Sequence, residues 1–467
     1  MKIQFFGAAR TVTGSKHLLT TARGKNILLD CGFFQGKGSE TDGLNRNFPF
    51  NPASIDYLVL SHAHIDHSGN IPNLVKQGFK GPIICTPATA DLCRVMLLDS
   101  AHIQEHDTSY MNKRRAARGE KPLTPIYETK DAENCLKQFV NVKYDIQYNV
   151  CEGVQLTFSN SGHILGAAAM NLEITENGIS KKLFFSGDIG RYGDKILKDP
   201  SPFPQADYII TESTYGDRLH ADSLFSEQQL FNVVYDTCIE KKGKVIIPAF
   251  SLGRTQELVY TLNQLSNKKM LPRIKIYVDS PLSVNATDIM RNHPECFNAE
   301  IVNSLIKDSD PFGFDNLIYI RDVEESKKLN SFKEPCIIIS ASGMAEAGRI
   351  KHHLANNISN PANTVLIVGY AEPHSIGGHL RAGYKKIKIF GQEHEVNANV
   401  VVLDSYSAHG DYNEMIKYLG CQDKKKVKQL FLVHGEYEVQ QHYRDKLIAA
   451  GFSNITIPDR GDTVEIN

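Results

Sequence analysis

The sequence predicts an α/β protein in which one domain is interrupted by another. Two observations lead there. Short apolar runs recur along the chain, each ending in a small or polar residue and followed by a stretch of helical periodicity. The runs that end on ionisable residues come from both ends of the chain, whereas those in the middle end in turns rich in Gly and Ser. Open α/β sheets carry their ligand sites where strands end, so one site assembled from distant segments is expected.

The outer runs come first. Asn26-Ile27-Leu28-Leu29 leads into Asp30-Cys31-Gly32, and Tyr57-Leu58-Val59-Leu60 into Ser61-His62. Lys182-Leu183-Phe184-Phe185 leads into Ser186-Gly187-Asp188, and Leu430-Phe431-Leu432-Val433 delivers His434. In the middle, Val245-Ile246-Ile247-Pro248 precedes Ser251-Leu252-Gly253-Arg254 and the helical TQELVYTLNQL; the run 274–278 precedes DSPLSVNATDIM. Ile337-Ile338-Ile339-Ser340 precedes ASGMAEAGRI, and 365–368 ends in Gly369-Tyr370. These read as strand–turn–helix units of a parallel sheet, in a domain spanning roughly 213–394.

A chain of 467 residues, 41% hydrophobic and 22% charged, has room for two or three ordinary domains. The start, MKIQFFGAARTVTGSKH, lacks the apolar core of an export signal, and no run is long enough to span a membrane. The 9 cysteines are scattered without a CxxC pair, as free thiols of a reducing cytoplasm would be. A cytoplasmic location and no membrane partner are therefore expected. The net charge is −1, so any affinity for phosphates must come from local clustering.

The strongest signal is Ser61-His62-Ala63-His64-Ile65-Asp66-His67-Ser68-Gly69. Packing does not call for three imidazoles and a carboxylate at this density; metal ligation does. In a loop leaving a strand, His62 and His64 can point one way while Asp66 and His67 swing to a second position, which suits two neighbouring metals. His163 stands among the small residues of Ser161-Gly162-His163-Ile164-Leu165-Gly166-Ala167, which let the backbone approach a crowded centre. Asp188 ends its strand, and a carboxylate can bridge two cations as a neutral imidazole cannot.

Asp30, His62-x-His64-x-Asp66-His67, His163 and Asp188 resemble the successive motifs of the metallo-β-lactamase fold. Thr211-Glu212-Ser213-Thr214, Ser407-Ala408-His409-Gly410-Asp411 and Val433-His434-Gly435-Glu436 resemble the three motifs of its β-CASP branch. Ser342-Gly343-Met344 running to Gly348-Arg349, and Pro248-Ala249-Phe250-Ser251-x-Gly253-Arg254, are similar to that family too. The match runs in order through essentially the whole chain. It is closest in pattern to the endonuclease of messenger-RNA 3′-end processing and its short prokaryotic homologues.

The resemblance implies an αββα metallo-β-lactamase sandwich, residues 1–212 and 395–467, with an inserted parallel-sheet β-CASP domain at 213–394. It implies that His62, His64 and His163 hold one metal, that Asp66, His67 and His434 hold a second, and that Asp188 bridges them. Asp30 would accept a hydrogen bond from a ligand imidazole and fix its tautomer. Ligands of His and Asp without thiolate suit two Zn²⁺ and leave Mn²⁺ or Fe open.

Two metals this close bring a shared water to near-neutral acidity, so that hydroxide can attack phosphorus in line. Asp66 is counted with the catalytic groups. His409 is the candidate acid for the departing 3′ oxygen, with Glu212 orienting it and keeping it protonated. Cleavage would leave 5′-phosphate and 3′-hydroxyl ends. DNA-processing members of the family carry valine where this chain has His434, so RNA, single-stranded, is the expected partner; a homodimer stands open.

Ser251 and Arg254, and Ser342, Gly343 and Arg349, are candidates for binding phosphates, since both turns are expected to precede a helix whose free N–H groups attract anions. Where the family carries G-Y-Q-A-x-G-T-L-G-R, this chain has Gly369-Tyr370-Ala371-Glu372-Pro373-His374-Ser375-Ile376-Gly377-Gly378-His379, with Gly378 at the arginine. The densest basic stretch, Lys113-Arg114-Arg115 with Arg118 and Lys121, reads as a solvated helix end or as a surface for approaching RNA. The alternatives are a hydrolase of the same fold acting on DNA, a small ester or thioester or a phosphodiester, and an inactive scaffold. The first leaves Glu212 and His409 without a task, and the second expects lost ligands.

Overall fold

A computed structural model of the chain describes residues 1–466 apart from 37, 221–222, 306–307, 309, 370 and 404–406, with 223–226 described by their backbone alone. Tyr370 thus lies outside the described residues. The chain divides into two compact units, Met1–Asp194 with Lys198–Leu219 and His409–Asn467, and Lys195–Leu197 with His220–Ala408.

In the first unit the apolar runs become two seven-stranded sheets. One has the order Thr463–Glu465, Lys2–Gly7, Lys16–Thr20, Asn26–Leu29, Tyr57–Val59, Ile83–Cys85, Phe139–Asn141. The other has the order Ile455–Thr456, Gln429–Leu432, Tyr208–Thr211, Ile179–Phe185, Ala168–Glu176, Val154–Asn160, Gln147–Cys151. Ile3, Phe5, Leu29 and Val59 of the first sheet share one buried cluster with Phe158, Met170, Phe185, Ile210 and Phe431 of the second. Strand side chains alternate between faces, so Phe184, Ile209 and Leu430 turn the other way. They pack on Met415, Tyr418 and Leu447 of the helices Tyr412–Leu419 and Tyr437–Ala449. Helix Pro87–Ala116 buries Leu92, Cys93, Met96 and Leu97 in its first half and leans on the strand Phe139–Asn141. The layering is the αββα sandwich expected from the sequence.

The second unit holds a six-stranded sheet in the order Leu317–Ile320, Lys275–Asp279, Cys336–Ser340, Val245–Pro248, Thr364–Val368, Asn399–Leu403, with every pairing parallel. Parallel strands covered on both faces need continuous apolar runs, and Val245–Pro248, Cys336–Ser340 and Thr364–Val368 are buried throughout. The unit extends past the expected 394 because Asn399–Leu403 pairs with Thr364–Val368. Among the described residues no helix is long and apolar enough to cross a membrane.

One local expectation is corrected. The turn after Ser340 does not open a helix: Ser342 N donates to Ala347 O at 3.2 Å, Ile350 N to Ala341 O at 3.3 Å, and the helix starts only at Ile350. Ser342 and Gly343 therefore sit in a self-bonded loop and not in the first turn of a helix. Arg254, by contrast, begins the helix Arg254–Asn267 directly.

Candidate metal centre

Strand ends deliver the site's side chains, and two of them do so through left-handed backbone. Asp30 follows Asn26–Leu29 at φ +59, and His434 follows Gln429–Leu432 at φ +52. Such a conformation costs a non-glycine residue about 1–2 kcal/mol and needs fixing bonds. His434 N donates to Ala8 O at 2.6 Å, and Asp30 N to Val59 O at 3.0 Å. Gly190 explains how the loop of His163 comes so near Asp188. A Cβ on Gly190 would lie 1.9 Å from Gly162 O, so only glycine fits. Gly190 N donates to Ser161 O and Gly410 N to Ile189 O, both at 2.8 Å, which places the segments of His163, Asp188 and His409 side by side.

The ionisable atoms converge in two groups. His62, His64, His163 and Asp188 form one and Asp66, His67 and His434 the other, with the ligand atoms of each group within 4.8 Å of one another. Asp188 turns one oxygen to each. Its Oδ2 lies 3.4 Å from His62 Nε2 and 3.5 Å from His163 Nε2; its Oδ1 lies 3.3 Å from His67 Nε2 and 3.7 Å from His434 Nε2. Asp66 Oδ2 is 3.4 Å from His434 Nε2. A third combination, Asp188, Glu212 and His434, is equally compact.

The outward nitrogens fix the tautomers. His67 Nδ1 donates to Asp30 Oδ2 at 2.7 Å, and Asp30 also accepts from Ser61 N at 2.8 Å and Ser61 Oγ at 2.9 Å. His62 Nδ1 meets Ser61 Oγ at 3.0 Å, and His434 Nδ1 meets Thr214 Oγ1 at 2.9 Å, the Thr214 hydroxyl donating in turn to His434 O at 3.1 Å. With each Nδ1 engaged outward, the Nε2 atoms of His67 and His434 face each other at 3.0 Å, a separation that calls for a proton or a cation between them. Asp188 Oδ1, wholly buried, has no hydrogen-bond partner. Converging ring nitrogens and an unpartnered buried carboxylate oxygen, which costs on the order of several kcal/mol, are what divalent cations relieve. The donor set therefore fits divalent metal.

Without cations the cluster carries its charge unevenly. Burial pushes His62 well down and His64 to about 4. Burial also opposes charge on His67, but Asp188 and Asp30 on either side raise it well above the imidazole range. Beside the cluster, His409 Nδ1 lies 3.2 Å from both oxygens of buried Glu212. Burial works against its charge too, yet Glu212, then Asp188 and Asp66, raise His409 to about 9. Glu212 is held by Thr214 N at 3.3 Å and by Ile189 N. At neutral pH His409 is an imidazolium with Nδ1 turned to Glu212 and Nε2 on the opposite edge of the ring.

The sequence reading gave no role to Ser61, Ser15 or Thr214, whose hydroxyls order the ligands; Ser15 Oγ donates to Asp30 at 3.3 Å. For Ser61 and Thr214 the only sequence signal is adjacency to the His and Glu motifs; Ser15 carries none. In the second unit Arg254 pairs with Glu257, and Arg349 donates to Asp279 at 2.6 Å and to Arg321 O at 2.7 Å. Ser251 is half-buried two residues before the cap of the Arg254 helix. Gly378 has no room for the family's arginine: a Cβ there would sit 2.1 Å from Glu372 O.

An αββα sandwich whose strand ends gather a His/Asp cluster fit for divalent cations defines the class of metal-dependent hydrolases. Family models match in three segments: a metallo-β-lactamase superfamily domain at 18–203, a β-CASP domain at 255–380 and a Zn-dependent metallo-hydrolase RNA specificity domain at 393–458. Ribonuclease TTHA0252 of Thermus thermophilus is 33% identical over 451 residues, covering 97% of this chain and 95% of the relative. An RNase J-like protein of Methanocaldococcus jannaschii is 30% identical over 93% of this chain and 92% of its own length. Transcription termination factor FttA of Methanosarcina mazei is 29% identical over 93% of this chain and 67% of its own. The chain belongs to the β-CASP ribonucleases of the metallo-β-lactamase superfamily.

Proposed function

We propose that this chain is a zinc-dependent ribonuclease that hydrolyses single-stranded RNA and leaves 5′-phosphate and 3′-hydroxyl ends. The observation that carries the reading is the Glu212–His409 pair set against two groups of metal ligands that share Asp188. His62, His64 and His163 would hold one cation and Asp66, His67 and His434 the other, with Asp188 turning an oxygen to each group. His and Asp donors without thiolate suit zinc. When bound, the two cations supply an activated water and draw off the charge that builds on the phosphoryl oxygens.

The chain's own groups do the rest. Asp30, Ser61 and Thr214 keep Nε2 of His67, His62 and His434 aimed inward. His409 holds a proton on Nε2 and delivers it to the departing 3′ oxygen, while Glu212 keeps the ring charged and aligned through Nδ1. Nothing in this scheme recruits the 2′ hydroxyl as a nucleophile. RNA as substrate is supported by His434 in the last motif, by the match to an RNA specificity domain and by the relatives' names. In domain terms, the first compact unit supplies the metal centre, and the β-CASP insert takes in the expected 213–394 and runs on through the strand Asn399–Leu403.

The test uses purified protein with zinc or manganese on end-labelled single-stranded RNA and matched DNA. RNA should be cut to 5′-phosphate ends, and chelation or Asp66→Ala should abolish cutting. Equal cutting of DNA, or turnover of thioesters with RNA left intact, would sink the substrate assignment.

A further inference from the structure

Helix Pro87–Ala116 spans 30 residues, and its two ends have different surroundings. Its start is tied to the loop of His163: Thr86 Oγ1 and Thr89 Oγ1 both donate to Gly166 O, at 2.7 and 2.9 Å. Its last four turns leave the core, with Thr108 alone buried after Ala101. There Tyr110 is 57% exposed, and the Arg114 guanidinium lies over its ring at 5.6 Å. Between 110 and 121 the chain carries Lys113, Arg114, Arg115, Arg118 and Lys121 against the single carboxylate of Glu120, in a protein of net charge −1.

Glu120 is taken by Arg115 at 2.8 Å, and among the described residues Lys113, Arg118 and Lys121 have no acidic partner. Attraction to the helix's negative end accounts for cations in the last turn. It does not account for Arg118 and Lys121, which lie beyond Ala116, nor for an exposed aromatic ring. The tip is firmly built: Asn112 Nδ2 donates to Leu123 O at 2.9 Å, and Leu123 N donates back to Asn112 Oδ1 at 2.7 Å.

We infer that this tip is a second RNA-holding surface, remote from the metal centre, which grips single-stranded RNA through its phosphates and by stacking a base on Tyr110. Exposed aromatic rings amid unpaired cations are the chemistry of sequence-tolerant single-strand binding. The helix sets the reach. At 1.5 Å per residue, Thr89 and Arg115 are roughly 40 Å apart along the axis. At about 3.4 Å per stacked nucleotide, an RNA must extend about a dozen nucleotides from the centre to reach the tip. Short substrates should not feel it; long ones should.

The inference rests on the ribonuclease reading, so its test is kept apart from cleavage. Binding of fluorescent single-stranded RNAs of about 30 and about 8 nucleotides is measured by anisotropy in EDTA, for the wild type, for the triple variant Lys113→Glu/Arg118→Glu/Lys121→Glu and for Tyr110→Ala. The triple variant should weaken the long RNA about tenfold and make the log–log salt slope shallower by about 2, at about 0.7 per lost phosphate contact. Tyr110→Ala should weaken it roughly fivefold. The short RNA should bind within about twofold of wild type in every case. Unchanged long-RNA binding in both variants, equal weakening of both RNAs, or no RNA binding by the wild type would each overturn the inference. Failure to cleave RNA would overturn the proposed function and leave this result standing.

Discussion

Asp188 and Asp279 are both buried aspartates at or just beyond the end of a strand, one in each unit, and they live in opposite circumstances. Asp279 ends Lys275–Asp279 and has a full set of donors: Arg349 at 2.6 Å, His353 Nε2 at 2.7 Å and the Ser326 hydroxyl. Burial raises its pKa, but those bonds outweigh burial and hold it below the carboxylate range. Asp188 has imidazole nitrogens around it at 3.3–3.7 Å and one oxygen with no hydrogen bond. A buried carboxylate completed by protein donors holds a fold together. One left short by its own protein is built for something that arrives from outside.

Asp188→Ala should produce the largest effect. Cleavage is expected to fall by at least about a thousandfold, with bound metal, measured by mass spectrometry, dropping from two ions per chain. The metal-free protein should lose less stability than Asp279→Ala costs, because the lost carboxylate had no complete set of hydrogen-bond partners. An equal loss of metal-free stability in this variant would erase the contrast with Asp279.

Glu212→Gln and His409→Ala test whether the catalytic side of the first unit is separable from its metal. Each should lower kcat by roughly a hundredfold to a thousandfold while metal content stays unchanged. Loss of metal in Glu212→Gln would instead make Glu212 a ligand, as its closeness to Asp188 and His434 permits.

Asp279→Ala is the mirror experiment. It strands Arg349 and His353, and urea unfolding should show a loss of about 3 kcal/mol. Metal content and the kcat of the folded fraction should not change.

The smallest expected effect belongs to Thr214→Val. Releasing the Nδ1 proton of His434 should weaken metal binding about tenfold, read by chelator competition, with little change in stability.

Much of this was legible before any coordinates, for identifiable reasons. His62, His64, Asp66 and His67 stand within six positions of one another, and Asp30, Asp188 and His434 close apolar runs that fold as strands. The all-parallel middle sheet was readable because its strands, covered on both faces, are unbroken in apolar residues. The tautomer-setting hydroxyls were not readable. Serine and threonine are common, and the work of Ser61 and Thr214 depends on where the ring edges of His62 and His434 fall. Arg349 was read as a phosphate ligand because Gly and Ser precede it; its partner Asp279 lies seventy residues earlier, a pairing made only by strand order. The helix expected after Ser340 starts only at Ile350 because a loop of Gly and Ala closes on its own backbone first.

The strand Gln429–Leu432 lies between Tyr208–Thr211 and Ile455–Thr456, and it brings in His434. A ribosome making this protein therefore releases Asp30, the His62–His67 cluster, His163 and Asp188 long before their last companion exists. Until then the proposed second cation position would lack a ligand, and Asp188 has one fewer imidazole to face. Order of synthesis acts as a timer: on the proposed ligand set, a chain not yet made as far as His434 holds an incomplete centre and should not cut.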